Sequence, residues 1–263
     1  LPLATVFAEE PGMVAALNTG LAHADGDLIA IIDDDTAPWP DWLARVEAHF
    51  EREPRLGGLG GRDIIKARGF PARPETDQVG RVRWYGRWIG EAHRGAGPAR
   101  EVELLKGCNM SFRRQAIDQL AFDRRLRGHG AQWFNDAAFS LAVKQAGWLV
   151  IYDPAVRVDH YLGPRPKDDE RIQSSATHAY DVAYNETLIL LEYLNPVSRA
   201  LLLGFGFLVG SSRAPGVLQV ARRSRAGAGA ALAAAWKGRL HAWRDYRRFR
   251  RARSAGPDEM LAR

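Results

Sequence analysis

The amino-acid sequence predicts an α/β fold, in which a sheet is flanked by helices and followed by a helical C-terminal extension. An apolar run at residues 28–32 has the composition of a strand and ends in three consecutive aspartates. Strand-like and helix-like segments then alternate up to residue 160, and from about residue 173 the pattern is helical. We therefore expect a sheet-containing domain at 1–172 and a helical, basic extension at 173–263.

In the first part of the predicted domain, segments with the apolar spacing of a helix alternate with segments that have the apolar composition of a strand. We predict a helix at 11–24, a strand at 28–32, a helix at 41–52 and a strand at 61–65 after the glycine-rich stretch 57–61. Pro11 lies near the start of the first helix, and Asp41 is suited to cap the second. The isoleucine-rich strand is expected to be buried on both faces. Residues 66–100 are polar, which predicts a long loop with a short hairpin near 82–89.

Short strands and helices return in the second part. We predict strands at 102–105, 108–112, 148–152 and 156–160, and helices at 114–120, 135–146 and 176–194. The apolar segment 199–220 is interrupted by glycine, arginine and proline, and its uninterrupted run 201–209 is too short to span a bilayer. That segment is suited to lie in a membrane interface instead, beside the arginine-rich tail. The alternative is that the extension forms a helical cap on the domain with a solvated arginine face.

The net charge of +6 is distributed unevenly along the chain. Residues 1–221 carry 25 Lys and Arg against 28 Asp and Glu, a net of −3, whereas residues 222–263 carry 12 against 3, a net of +9. This distribution argues against a nucleic-acid groove in the domain and favours an arm that meets an anionic surface. The single cysteine, Cys108, excludes an internal disulfide and is interpreted as a core residue.

The aspartate triplet is the strongest indication of function. An unpaired buried carboxylate costs several kcal/mol or more, so Asp33, Asp34 and Asp35 must meet solvent or a cation. Ligands bind at the carboxyl ends of strands in open α/β sheets. Clustered carboxylates suit Mg²⁺ or Mn²⁺, which commonly hold substrate phosphates. The alternative is a solvated turn capped by one of the aspartates.

Two further residues are candidates for chemistry. Asp136 lies at the start of a predicted helix, where it either complements the helix dipole or acts as a general base. His160 ends a predicted strand, where it is either an ordinary hydrogen-bonded histidine or an additional metal ligand.

Together these motifs resemble family 2 glycosyltransferases of the GT-A fold, over roughly residues 10–195. The resemblance rests on 16–21 (ALNTGL), 24–27 (ADGD), 33–35 (DDD), 40–43 (PDWL), 106–114 (KGCNMSFRR), 122–123 (FD), 135–136 (ND), 147–148 (GW) and 152–160 (YDPAVRVDH). It implies a GT-A-type mixed sheet that binds a nucleotide-diphosphate sugar.

The resemblance also implies a role for each matched residue. Asp35 would hold the divalent metal on the sugar-nucleotide diphosphate, with Asp33 and His160 as further ligands. The nucleotide sugar would be contacted by Asn18, Asp33, Asp34 and Arg165. Asp136 would deprotonate the acceptor hydroxyl, and Trp133 and Asn109 would lie on the acceptor side. A single base opposite the leaving group implies inversion of configuration.

The sequence departs from the family pattern in three respects. The usual first strands, which carry the base-binding acidic residues, are not recognised, so the domain is expected to be truncated at its N-terminus. The usual Glu-Asp pair before the catalytic helix is Asn135 and Asp136. The Gln-any-any-Arg-Trp motif of processive synthases is not evident, which favours transfer of single sugars.

We interpret the chain as a metal-dependent inverting hexosyltransferase of cell-surface polysaccharide or glycolipid synthesis. It is expected to use Mg²⁺ or Mn²⁺ and an acceptor that is lipid-linked, without a nucleic-acid partner. It is expected to be cytoplasmic, peripheral on the inner face of the plasma membrane. The alternatives are a metal-dependent nucleotidyltransferase and a non-catalytic carbohydrate- or lipid-binding fragment.

Overall fold

The computed structural model describes residues 3–67, 69–71, 73–128, 130–163, 176–222 and 227–254, which form two compact units. The first unit contains the described residues up to Arg83, from Trp88 to Arg124 and from Asn135 to Gly163. The second contains Trp84–Arg87, Arg125–Phe134 and the described residues from Ala176 onward. The boundary expected after residue 172 lies outside the described residues, so the division 1–172 and 173–263 stays a prediction.

The first unit has the predicted mixture of helices and strands. Its helices are α1 (Met13–His23), α2 (Trp42–Arg52), α3 (Arg114–Ile117) and α4 (Asn135–Gln145). Its strands are β1 (Leu28–Ile32), β2 (Thr36–Pro38), β3 (Leu56–Ile65), β4 (Arg81–Val82), β5 (Trp88–Ile89), β6 (Arg100–Glu101), β7 (Asn109–Arg113) and β8 (Leu149–His160). A short 3₁₀ helix, Ala92–Arg94, lies between β5 and β6.

The main sheet is mixed, as the resemblance to GT-A enzymes implies. Its strand order is β1-β7-β3-β8-β2, and β6 also pairs with β8. The β3–β8 pair is parallel, whereas the other pairs in this sheet are antiparallel. Strands β4 and β5 form a separate hairpin.

Helices cover both faces of the sheet. Val150 and Tyr152 of β8 belong to a core that includes residues of α1, α3 and α4. The alternate residues Leu149 and Ile151 pack on a second core that contains residues of α2. Because successive strand residues point to opposite faces, β8 contributes to both cores.

The glycine-rich stretch 57–61 is part of β3 and does not precede it. A Cβ atom at Gly57 would lie 2.5 Å from the Cβ of Trp148, and one at Gly61 would collide with the carbonyl oxygen of Val156. These glycines therefore allow neighbouring chain segments to approach β3 closely.

Several element predictions need correction. Strand β1 has the predicted position but is not buried on both faces, since Ile29 is its one buried residue and Ile32 is 42% exposed. It is the end strand of the sheet path. The two strands expected at 148–152 and 156–160 are one strand, β8, with a register shift opposite Gly61 and Arg62. The segment 102–105 is irregular: the backbone N–H groups of 102–104 donate to the carbonyl oxygens of Gly80 and Val150, and that of Leu105 donates to the Ser140 hydroxyl.

The second unit contains the predicted helical extension. Its helices are α5 (Ala176–Tyr193), α6 (Pro196–Leu208), α7 (Val217–Arg222) and α8 (Ala228–Ser254). Small residues of α5 and α8, among them Ala179, Ala183 and Ala235, form the core of this unit. Asn195 caps α6 by accepting a hydrogen bond from the Ser198 N–H at 3.0 Å. Within the described part of the chain, we find no helix with the length and apolar character needed to cross a membrane.

Candidate active site

The aspartate triplet forms a tight turn between β1 and β2. The Asp33 carbonyl accepts hydrogen bonds from the Thr36 backbone N–H at 3.1 Å and from its hydroxyl at 2.6 Å. Thr36 is the register partner of His160 in the β2–β8 pair. The Asp35 carbonyl accepts from the Tyr161 N–H at 2.8 Å, which ties the other end of the turn to the chain after β8. The turn therefore holds the triplet beside His160.

Asp33, Asp35 and His160 are arranged as a candidate metal site. Their potential ligand atoms lie within 4.8 Å of one another, and His160 Nε2 is 3.3 Å from an Asp35 carboxylate oxygen. Burial, followed by the charge of Asp35, raises the pKa of the Asp33 carboxyl. A divalent cation would offset this repulsion, so the donor set fits such an ion.

Asp63 of β3 lies behind His160 and is completely buried. Its Oδ2 accepts a hydrogen bond from the Lys106 ammonium and lies 3.5 Å from His160 Nδ1. Burial alone would raise the pKa of Asp63, but the partners His160 and Lys106 hold it below its usual range. With Nδ1 facing Asp63, the histidine directs Nε2 towards Asp35.

Asp63, His160 and the buried Cys108 form a second group of potential metal ligands. The Lys106 ammonium already supplies a positive charge to Asp63 there. Burial also raises the pKa of the Cys108 thiol, which disfavours the thiolate that binds metals. The group formed by Asp33, Asp35 and His160 is therefore the better candidate.

Asp136 lies in the first turn of α4, and its carboxylate is held by backbone N–H groups. Its Oδ2 accepts from Gly107 at 3.0 Å and its Oδ1 from Ala137 at 2.8 Å. Burial raises the pKa of Asp136, and these two hydrogen bonds offset only part of that effect. Phe134, two residues earlier, has a left-handed backbone with φ of 70°, a strained conformation that is common near functional sites.

The sheet register brings the Asp136 site next to the triplet. Ile32, the last residue of β1, is paired with Asn109, the first residue of β7. The chain just before β7 therefore runs beside the chain just after β1, and it includes Gly107, the partner of Asp136. The charge of Asp136 contributes to the raised pKa of Asp33, as expected for two nearby carboxylates.

The side chains of Asn18 and Asn109 are engaged within the fold. Asn18 exchanges two hydrogen bonds with the backbone of Phe122, at 3.0 and 2.8 Å. Asn109 is buried, donates to the Val156 carbonyl at 3.0 Å and accepts from the Trp42 indole at 2.9 Å. Their expected contacts with nucleotide sugar and acceptor stay predictions, and we assign both a structural contribution.

The other expected residues are placed differently. Asp34 is exposed between its two neighbours in the turn. Trp133 belongs to the second unit, where the Arg213 guanidinium lies 4.8 Å from its ring centroid. Arg165 lies outside the described residues. Roles for these three residues stay predictions.

Two residues beside the candidate metal site, Asp63 and Lys106, are not among those predicted from the sequence. Asp63 is a carboxylate inside a strand of glycine and apolar residues, which is a signal that a buried partner is required. The partner is 43 positions away in the chain, and the sequence does not identify it.

Comparisons with known proteins agree with the resemblance drawn from the motifs. Residues 4–121 match the family model described as Glycosyl transferase family 2. The chain is 26% identical over 159 residues to the glucosyl-dolichyl phosphate glucuronosyltransferase of Haloferax volcanii. That alignment covers 59% of this chain and 49% of the relative, so the chain spans about half the length of the curated relative it matches.

Two of the solved structures to which the chain is similar are complexes with a nucleotide sugar. S. aureus TarS 1-349 in complex with UDP-GlcNAc has a TM-score of 0.49 and 14% identity, covering 74% of this chain and 52% of that one. The mannosyltransferase PcManGT from Pyrobaculum calidifontis, in complex with GDP-Man and Mn²⁺, has a TM-score of 0.44 and 19% identity, covering 88% and 67%.

Proposed function

We propose that the chain is a family 2 glycosyltransferase, the family whose model matches residues 4–121, and that it transfers a sugar from a nucleotide-diphosphate sugar to a hydroxyl acceptor with inversion. The observation that carries the proposal is the juxtaposition of two functional groups at one end of the sheet. Asp33, Asp35 and His160 provide a cluster of metal ligands. Asp136 provides a carboxylate in a fixed orientation, near enough to influence the pKa of Asp33.

We assign Asp33, Asp35 and His160 to hold Mg²⁺ or Mn²⁺. Two carboxylates suit either ion, and an imidazole nitrogen favours Mn²⁺ because Mg²⁺ prefers oxygen ligands. A bound divalent ion would neutralise the negative charge that gathers on the leaving diphosphate. Asp63 keeps His160 oriented through Nδ1, as a carboxylate behind a metal-binding histidine does in many sites.

We assign Asp136 as the general base. A hydroxyl is a weak nucleophile, and a carboxylate within reach assists by accepting its proton. The Gly107 and Ala137 N–H groups fix the carboxylate, and its raised pKa makes it a stronger base than an ordinary aspartate. One base acting on the face opposite the leaving group gives a single displacement with inversion.

The acceptor and the cellular setting are part of the proposal. The Haloferax volcanii relative is named for glucuronosyl transfer to glucosyl-dolichyl phosphate, a lipid-linked acceptor. The basic C-terminal extension suits the same kind of acceptor. We therefore propose a lipid-linked acceptor in polysaccharide or glycolipid synthesis, and peripheral attachment to the inner face of the plasma membrane.

The test is to incubate the chain with a panel of sugar nucleotides and Mn²⁺ and to identify the released product. Release of nucleoside diphosphate, with the anomeric configuration of the product inverted, is the expected result. Release of pyrophosphate from a nucleoside triphosphate would instead indicate a nucleotidyltransferase. Binding of sugar nucleotide without any turnover would indicate a non-catalytic domain.

A further inference from the structure

We propose that one face of α8 docks on an anionic lipid bilayer. The outer face of α8 is defined here by its exposed residues Ala233, Trp236, Lys237, Leu240, Arg244, Arg247 and Arg248. This inference deepens the proposed membrane attachment and rests on it. It identifies the residues that contact the lipid and the class of lipid that they recognise.

The opposite face of α8 fixes the helix against α5. A Cβ atom at Gly238 would lie 2.5 Å from the Tyr180 carbonyl oxygen, so the two helices are in close contact at that point. The Tyr184 hydroxyl donates to Asp245 at 2.7 Å, and the Tyr180 hydroxyl pairs with His241 Nδ1 at 2.8 Å. Helix α8 is therefore packed firmly within the second unit, and its outer face has a defined orientation.

Not every basic residue of α8 is available to a ligand. Arg239 is buried and donates hydrogen bonds to the carbonyl oxygens of Ala214, at 2.7 Å, and Pro215, at 3.3 Å. The Arg239 guanidinium therefore holds the loop between α6 and α7 in place through these hydrogen bonds. In contrast, Arg244, Arg247 and Arg248 are exposed on the outer face.

The outer face combines apolar and basic side chains in a fixed order. Trp236 and Leu240, 38% and 48% exposed, precede the three arginines and share the same side of the helix because of their three- and four-residue spacing. The Trp236 ring is in edge-to-face contact with Phe207 of α6, at 5.3 Å. Helices α6 and α7 of the same unit also carry exposed apolar residues: Val197, Leu201, Leu208, Val217 and Leu218.

This combination favours a bilayer over a nucleic acid. Arginines alone would suit either phosphate-bearing partner. Exposed leucine and valine side chains gain free energy only by leaving water, and the headgroup boundary of a bilayer accepts them beside the basic residues. A tryptophan next to the apolar residues is also typical of the membrane interface.

The first experiment measures partitioning of the full chain onto vesicles of phosphatidylcholine, with and without phosphatidylglycerol. We expect binding to the anionic vesicles that weakens with salt. The variant Arg244→Glu, Arg247→Glu, Arg248→Glu should bind at least about 100-fold more weakly, since each basic residue near such a surface contributes a factor of about five. The control Arg52→Glu, Arg55→Glu, Arg83→Glu makes the same charge change at exposed sites elsewhere and should retain binding.

The second experiment locates the apolar contact. The only cysteine, Cys108, is buried, so a cysteine introduced as Leu240→Cys can be labelled selectively with an environment-sensitive fluorophore. Its emission should shift to the blue with anionic vesicles. The same label at Leu43→Cys, on an exposed position of α2, should not shift.

Three results would overturn the proposal: equal binding by the arginine variant, no shift at position 240, or binding to duplex DNA with none to vesicles. Donor turnover separates this proposal from the proposed function. The arginine variant should still release nucleoside diphosphate from its sugar nucleotide at the parent rate. Vesicle binding without any turnover would contradict only the transferase assignment.

Discussion

Replacing Asp63 by asparagine should damage both the stability of the first unit and its affinity for metal. Asp63 is fully buried and carries the charge that compensates Lys106. Removing one partner of a buried ion pair costs about 3–5 kcal/mol. Since the Lys106 side chain is 38% exposed and water can reach it, we expect a loss of about 2–3 kcal/mol. For a protein of this size, that loss lowers Tm by roughly 5–10 °C.

The same substitution should loosen His160, because the imidazole Nδ1 loses its carboxylate partner. Loss of such an outer partner typically weakens metal binding by about 10–100-fold. The assay is calorimetric titration of Mn²⁺ into the folded variant, together with a thermal melt. A matched control is Asp153→Asn, which removes a carboxylate 2.7 Å from His49, outside the metal cluster. It should lower stability and leave the affinity for Mn²⁺ unchanged.

Mn²⁺ binding by Asp63→Asn as tight as that of the parent, together with weak binding by His160→Ala, would contradict the proposed role of Asp63. In that case, Asp63 would not orient the ligand. An Asp63→Asn variant as stable as the parent would contradict the assignment of the Lys106–Asp63 pair. The double substitution Asp63→Asn, Lys106→Met provides a further check, because it removes both charges and should recover part of the lost stability.

Three further predictions concern the carboxylates. Asp136→Asn should lower kcat by about 10²–10⁴-fold without changing Mn²⁺ affinity, measured by donor turnover and calorimetry. Burial raises the pKa of Asp136, which must be ionised to act as a base, so the acid limb of the kcat–pH profile should lie above the ordinary range of an aspartate. A limb within or below that range would contradict its role. Because the pKa of Asp33 is raised in the folded protein, the protonated carboxyl favours the folded state at low pH. This stabilisation is lost as the pH rises through the raised pKa. Metal-free Asp33→Asn should therefore melt no lower than the parent at pH 7, and Mn²⁺ should raise Tm of the parent more than that of the variant.

The alternation of apolar segments was sufficient to predict the sheet and its helices, but not the pairing within them. The residue pattern predicts two strands in this part of the chain, at 148–152 and 156–160. In the structure the strand continues, because a register shift opposite Gly61 and Arg62 accommodates the irregular residues. The glycines of β3 were equally ambiguous, since the close approach of Trp148 that requires Gly57 exists only in the folded protein.

The candidate site could be predicted only where the local sequence indicates it. Asp33 and Asp35 follow a strand directly, and His160 ends another, so their local context indicated a shared sheet edge. Asp63 acquires its role only through residues distant in sequence, Lys106 and His160. The local sequence around Asp63 does not identify these partners. They are brought together by the pairing of β1 with β7 and of β3 with β8 in the folded sheet.

The most direct test of the account is nucleoside diphosphate release from a sugar nucleotide, measured against Mn²⁺ concentration for the parent, Asp35→Asn and Asp136→Asn. Release by the parent should saturate with Mn²⁺. Asp35→Asn should require at least about tenfold more Mn²⁺, because it loses a ligand. Asp136→Asn should keep the Mn²⁺ midpoint and lose most of the maximal rate. Parent-like curves for both variants would contradict the assignment of metal site and base.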